Sequence, residues 1–231
     1  MLNSLIGTFI NCGLVIFGTF CGLIFKRDSL KKIGERIFEA FALLVITMGI
    51  AGSKDLTNIY LILASIILGI ALGEFLDIDT RFTRVANFLQ QKFSSKKDNT
   101  FARGLIESTL LFCIGSMAIV GSMESGINHN HSILITKGIL DMISACMLSM
   151  TLGIGVGFSA IFILIYQGCI SLAASILAPV LSAEIIATVS TIGNIFLIAV
   201  GLNMLNVTKI KVANFLPAMF IPIIYGLISL L

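Results

Sequence analysis

Apolar runs about as long as a bilayer is thick recur along the chain, and this constrains its fold more than any other feature. A helix that crosses the hydrocarbon core needs about 20 mainly apolar residues. Eight segments reach or approach that length: 4–25, 37–53, 58–76, 104–123, 132–152, 155–177, 184–205 and 212–231. The second is the weakest, since it could tilt or stop short. Of 231 residues, 57% are hydrophobic and 12% charged, roughly half the charge of an ordinary soluble domain. A core of this size cannot hide that much apolar surface, so lipid must be the solvent for most of it. The expected fold class is an all-α polytopic membrane protein of about eight transmembrane helices, forming one domain over residues 1–231. The first run, Leu5 to Phe25, has neither a basic start nor an A-x-A-type site behind it, and reads as a retained first helix rather than a signal peptide.

Charge placement gives an orientation. With the N-terminus outside, the inward loops collect Lys26, Arg27, Lys31, Lys32, Arg36, Arg81, Arg84, Lys92, Lys96, Lys97, Arg103, Lys209 and Lys211, thirteen of the fifteen basic residues. Lys54 falls outside and Lys137 within a span. The positive-inside rule then selects N-out, C-out with an even number of spans in the bacterial cytoplasmic membrane. Within the inward loop 78–99, Ile78, Phe82, Val85, Leu89 and Phe93 make one helical stripe with Arg81, Arg84 and Lys92 off it. That pattern fits an amphipathic surface helix over about 78–97. The same stripe also fits a helix packed against the base of the bundle.

An internal repeat is suggested by three pairs of segments: "IGTFINCG" with "IGVGFSA", "ITMGI" with "IAVGL", and "LILASIILGIALG" with "FLPAMFIPIIYG". Their offsets are about 148, 152 and 153 residues, which would relate helices 1–3 to helices 6–8 in opposite orientations. Inverted repeats of this kind build many secondary transporters.

The residues that stand out chemically are those a lipid-facing helix would not carry. In "ITKGILDMISACM", Lys137 lies a turn and a half into the fifth segment and Asp141 near its middle. Each charge costs roughly 2.5–3.5 kcal/mol near a helix centre on insertion scales. Four residues apart, they share a face and can pair. Ser144 falls close to the same face and Thr151 near its edge, a polar stripe that must meet the bundle or a wet cavity. Such a stripe serves either as an ion pair locking helices together or as a substrate or ion site near the midplane. The fourth segment carries Glu107 one turn from its inner end and Gly115-Ser116 mid-span, a pair that can loosen or break a helix. The seventh clusters Ser190, Thr191, Gly193 and Asn194, a second polar interruption. Asn11 and Gln167 lie deep in the first and sixth segments. Single buried amides of this type more often bond a neighbouring helix than a ligand.

Other features point to packing. Gly18 with Gly22, and Gly69 with Gly73, have GxxxG spacing, which brings helices close within one chain or across a homodimer. Pro217 and Pro222 suggest a kink in the last helix. The five cysteines lie in apolar runs without CxxC spacing and read as buried hydrophobes. His129, His131 and Glu124 read as solvated loop residues rather than a metal site. No HExxH, P-loop or GxSxG motif occurs, so neither an enzyme nor a cofactor is expected.

The blocks "LFCIGSMAIVGSMESG", "SILITKGILDMISACM", "LGIGVGFSA", "IYQG" and "NFLPAM" resemble, in order and spacing over nearly the whole chain, the YdfK/YqgA-like bacterial membrane proteins, the domain of unknown function 554. The resemblance implies a multi-spanning inner-membrane protein with the Lys-x-x-x-Asp helix and the glycine-rich fourth span. Relatives often carry proline where this chain has Ser116, which weakens the expectation of a broken helix here. The family brings no established activity.

The leading functional expectation is a small secondary transporter or ion-coupled carrier. In it Asp141 binds a cation or proton, Lys137 is its charge partner or anchors an anionic group, and the fourth and seventh helices supply Ser116, Thr191 and Asn194. Asn11 and Gln167 complete the site, and Glu107 lies on the inner exit path. The alternative is a non-transporting scaffold or sensor whose polar residues only fix helix packing. The expected partners are the lipid bilayer, an unknown small solute or ion, and a second copy through the glycine-rich faces, with no nucleic acid.

Overall fold

A computed structural model describes residues 2–25, 31–54, 56, 58–93 and 100–229, without the side chains of Lys31, Phe93 and Ser116. Lys26, Arg27, Lys96 and Lys97 of the charge partition lie outside the described residues. Helices make up nearly all of the fold, and no strand occurs among the described residues. In chain order they are α1 (Leu2–Phe25), α2 (Lys31–Gly52), α3 (Ile59–Leu76), α4 (Ile78–Phe93), α5 (Thr100–Cys113), α6 (Ser116–Ile127), α7 (Ser132–Leu152), α8 (Gly155–Leu172), α9 (Ala174–Leu177), α10 (Ala183–Met204), a 3₁₀ helix (Val212–Met219) and α11 (Ile221–Ile228).

Among the described residues, α1, α3, α7, α8 and α10 are each long and apolar enough to cross a membrane. Helices α5 and α6 together make a sixth candidate, bent by 64°. Two of the eight expected segments fall short on simple criteria. Helix α2 has 22 residues, but its first turns carry Lys31, Lys32, Glu35, Arg36 and Glu39. The stretch Val212–Ile228 is apolar but short, and divided between the 3₁₀ helix and α11. Large apolar side chains such as Phe17, Phe20, Leu63, Ile67 and Ile165 are more than half exposed. That is the surface of a protein dissolved in lipid, where outward-facing apolar groups incur no hydration cost.

Small residues set the packing. A methyl group built at Gly18 would lie 2.1 Å from the Met142 carbonyl oxygen, and one at Gly22 would lie 2.2 Å from that of Cys146. Helix α1 therefore lies backbone to backbone against α7. Gly69 and Gly73 approach the 3₁₀ helix equally closely, at Ala218 and Asn214. Both GxxxG pairs are thus consumed inside the chain, and neither offers a face for a homodimer. Further pairs are α2 with α10, α5 with α8, and α1 with α8. The core between them holds Phe112, Ile119, Leu148, Ile163, Ile192 and Phe196, all buried.

Helix α4 lies against the bundle. Ala86 is fully buried, and Leu89 packs with it against Phe101, Phe158 and Phe162. Phe82 meets Phe162 edge to face at 4.8 Å. Val85, assigned to the apolar stripe by spacing, is 47% exposed, as is 63% of Phe88. The buried face is therefore centred on Ala86, whose small side chain was invisible to a search for large apolar residues.

The fourth segment is interrupted. Helix α5 ends at Cys113 and α6 starts at Ser116, with Gly115 between them at φ +120°. A side chain at that position would be strained, so glycine is what permits the bend. The seventh segment is not interrupted: α10 runs unbroken from Ala183 to Met204. Its Gly193 serves packing instead, since a methyl group there would lie 2.9 Å from Ile114 Cγ2 and 3.6 Å from the Gly115 nitrogen. The last segment divides at Phe220, with Pro217 inside the 3₁₀ helix and Pro222 in the first turn of α11.

Candidate functional site

Two polar regions lie within this frame. The first is built on α7, where Lys137 donates to the Asp141 carboxylate one turn away. The residues are 5% and 7% exposed, so neither charge faces lipid. Helix α1 reaches the pair because Gly138 has no side chain: a methyl group there would lie 3.1 Å from the Asn11 Cα. Asn11 faces Asp141 and also donates to Gln167 of α8 over 3.3 Å. The two arms of the helix break, α5 and α6, both pack against α7, the helix that carries the pair. Asn11, Lys137, Asp141 and Gln167 thus meet where α1, α7 and α8 converge.

Not all of the hydrogen-bonding capacity here is used. Asn11 Oδ1, Gln167 Nε2 and Thr8 Oγ1 are buried with no protein partner. Each such group costs roughly 1–3 kcal/mol if left dry. At the break, Gly115 precedes α6 and offers no side-chain cap, while its carbonyl accepts from the Ala118 amide over 3.2 Å.

Other expected members lie elsewhere. Asn194 donates to the Gly52 carbonyl at the end of α2 and to Ser190, which fastens α10 to α2. Thr191 is buried in α10, two residues before the glycine that touches the break. The Ser116 side chain lies outside the described ones. Ser144 returns its hydroxyl to the Leu140 carbonyl of its own helix, so the polar stripe stops at Asp141. Thr151 lies near Gly34 of α2. His131 pairs with the Ser125 hydroxyl over 2.9 Å.

Glu107 belongs to the second region, a cleft of about 460 Å³ between α4, α5, α10 and the turn leading to the 3₁₀ helix. Its polar lining includes Asp79, Arg103, Glu107, Asn203, Lys209 and Lys211. Arg103 donates to Glu107 Oε1 over 2.7 Å and to the Asn203 and Met204 carbonyls over 3.2 and 2.9 Å. It thereby supplies donors that the last turn of α10 lacks. The Asn203 side chain holds the turn by accepting from Ile210 N and Thr208 and donating to the Ile210 carbonyl. Burial raises the Asp79 carboxyl above its ordinary range, while neighbouring Lys211 opposes the shift. Asp141 is not among the described residues that line the cleft. Sequence reasoning counted Arg103 only as an inward charge. The available signal was its spacing of four from Glu107.

Long apolar helices, lipid-exposed aromatics and a charged pair turned away from the lipid define a polytopic α-helical membrane protein. More narrowly, the chain belongs to the family described as "Protein of unknown function (DUF554)", whose pattern matches residues 6–227. It is 30% identical over 220 residues to the "Uncharacterized membrane protein YdfK" of Bacillus subtilis (strain 168), covering 94% of this chain and 93% of that one. To the "Uncharacterized protein YqgA" of Escherichia coli (strain K12) it is 27% identical over 220 residues, covering 94% of both. No solved structure matches the chain.

Proposed function

We propose that the protein is a small secondary transporter or ion-coupled carrier of the bacterial cytoplasmic membrane, with Asp141 and Lys137 at its centre, rather than an enzyme. The observation that carries this reading is a buried ion pair on the helix against which both arms of a broken segment pack, with Asn11 at the pair and Gln167 bonded to Asn11 each keeping an unpartnered amide atom. Intramembrane charges turned towards the bundle commonly mark solute and ion paths. Helix breaks beside them supply backbone groups for a solute. In this reading Asp141 takes up a cation or proton, Lys137 neutralises the site when it is empty, and Asn11 and Gln167 turn their unused groups to the cargo. All eight segments cross, both termini lie outside, and the basic loops and α4 face the cytoplasm.

An inverted repeat of helices 1–3 with 6–8 fits the same reading, and its support is reciprocal packing. Methyl groups at Gly49 would strike Ile198 and Asn194, and one at Gly201 would strike Ile46 and Ala42. Adding 152 to 42, 46 and 49 gives 194, 198 and 201, so each contact maps onto the other. Cys12 and Ala160, equivalent at the 148-residue offset, meet through a hydrogen bond of 3.3 Å.

A packing role has its own support: the two charges satisfy each other, and Asn11 bonds Gln167. The two readings separate in proteoliposomes loaded with a panel of amino acids, organic acids and monovalent cations, with and without a proton gradient. The carrier reading expects saturable uptake of one class, abolished in Asp141→Asn while the variant still folds. Failure of every class to show saturable flux overturns it.

A further inference from the structure

We propose that the cytoplasmic-side cleft binds a small zwitterion, its ammonium group held deep by Glu107 and its carboxylate held at the rim by Lys209 and Lys211. The cleft is separate from the Lys137–Asp141 cluster, and the proposal stands whether or not the protein transports. It starts from one atom. Glu107 is 8% exposed, Arg103 engages its Oε1, and its Oε2 has no partner although it is buried. A buried carboxylate oxygen in that state calls for a donor, preferably a charged one.

The rim has the opposite character. Lys209 and Lys211 line the same cleft, are exposed, and form no ion pair among the described residues. Arg103 is tied through Nε to Glu107 and through Nη2 to the end of α10. An anion alone would meet the Glu107 carboxylate at the deep end. A cation alone would have to pass two ammonium groups, of which Asp79 faces only Lys211. A ligand with both charges answers the buried carboxylate and the exposed lysines together, and charge complementarity of this kind sets specificity more than raw affinity. Ile106, Leu110 and Val200 add apolar surface to the same lining, suited to a short hydrocarbon segment.

Equilibrium binding to the purified full-length protein in detergent tests this, by thermal shift and calorimetry. The probes are L-leucine and 5-aminopentanoate, which differ in charge separation. Each is compared with its singly charged counterparts: 3-methylbutylamine and 4-methylpentanoate, pentylamine and pentanoate. The proposal expects at least one zwitterion to bind at least about tenfold more tightly than either of its counterparts. Glu107→Gln and the double variant Lys209→Ala/Lys211→Ala should each remove that preference. The double variant changes exposed side chains only and keeps the test valid if Glu107→Gln fails to fold. Equal binding of an amine or an acid alone, no binding of either zwitterion, or an unchanged preference in the rim variant overturns the proposal. Absent flux with intact zwitterion binding counts against the carrier reading and leaves this site standing.

Discussion

Substituting Asp141 with leucine should cost far more than substituting Asp141 and Lys137 together. The carboxylate and ammonium are 7% and 5% exposed and satisfy each other across one helical turn. Removing one partner from a buried pair leaves an uncompensated charge and costs about 3–5 kcal/mol. Replacing both with apolar side chains of similar volume is often neutral or better. Asp141→Leu should therefore lower unfolding free energy by about 3–5 kcal/mol, whereas Lys137→Met/Asp141→Leu should lie within about 1–2 kcal/mol of wild type. Asn11 sets the residual cost, because its amide faces the missing carboxylate and would lose that interaction. Reversible unfolding in mixed micelles supplies the four corners of the cycle, and a coupling energy of at least about 3 kcal/mol is expected. Single substitutions that cost less than about 1 kcal/mol and simply add would refute the buried-pair assignment. Transport retained in the stable double variant would show that the pair is a clasp and not the site.

The remaining predictions concern packing and pH. Gly22→Ala should destabilise by about 1–3 kcal/mol, because its methyl group would lie 2.2 Å from the Cys146 carbonyl oxygen; Gly13→Ala, with nothing within 4 Å, should be neutral or slightly stabilising. Thermal midpoints of the two variants check this. Asp79 has a folded-state pKa raised by burial, so the folded state binds its proton more tightly than the unfolded state. Its contribution to stability is then fullest at low pH and declines as pH rises from about 4 through the raised value. Asp79→Asn should accordingly gain on wild type as pH rises through that window, and a difference independent of pH would contradict the assignment.

The class of fold was legible because span length and charge avoidance are imposed by the solvent, independently of how the helices meet. The same logic picked out Lys137 and Asp141, whose burial in lipid would be costly without a partner. The partners Asn11 and Gln167 stood out for a similar reason, although their convergence depends on Gly138 admitting α1, which only three-dimensional packing reveals. Asn194 looked like a site residue because polarity in a span signals need. That need turned out to be met by the Gly52 carbonyl at the end of α2. Glycine was the least readable residue. Gly115 breaks a helix at φ +120°, whereas Gly193 sits in an intact helix and makes room for that break. Sequence cannot separate these uses, because both follow from the missing side chain. The cleft escaped detection because its charges come from α4, α5 and the turn after α10, distant in sequence and ordinary one by one.

The 3₁₀ segment changes a measurement of reach. A 3₁₀ helix rises about 2.0 Å per residue and an α-helix about 1.5 Å. Val212–Ile228 would extend only about 25 Å if wholly α-helical. With Val212–Met219 in the tighter winding, it extends to about 30 Å, the thickness of the hydrocarbon layer. Runs of this winding longer than three or four residues are uncommon, and this one lies against the bare backbone of Gly69 and Gly73. Bulk added to α3 at those glycines should therefore be felt in the C-terminal segment, which would lose about 4 Å of reach if its 3₁₀ turns relaxed to α-helix.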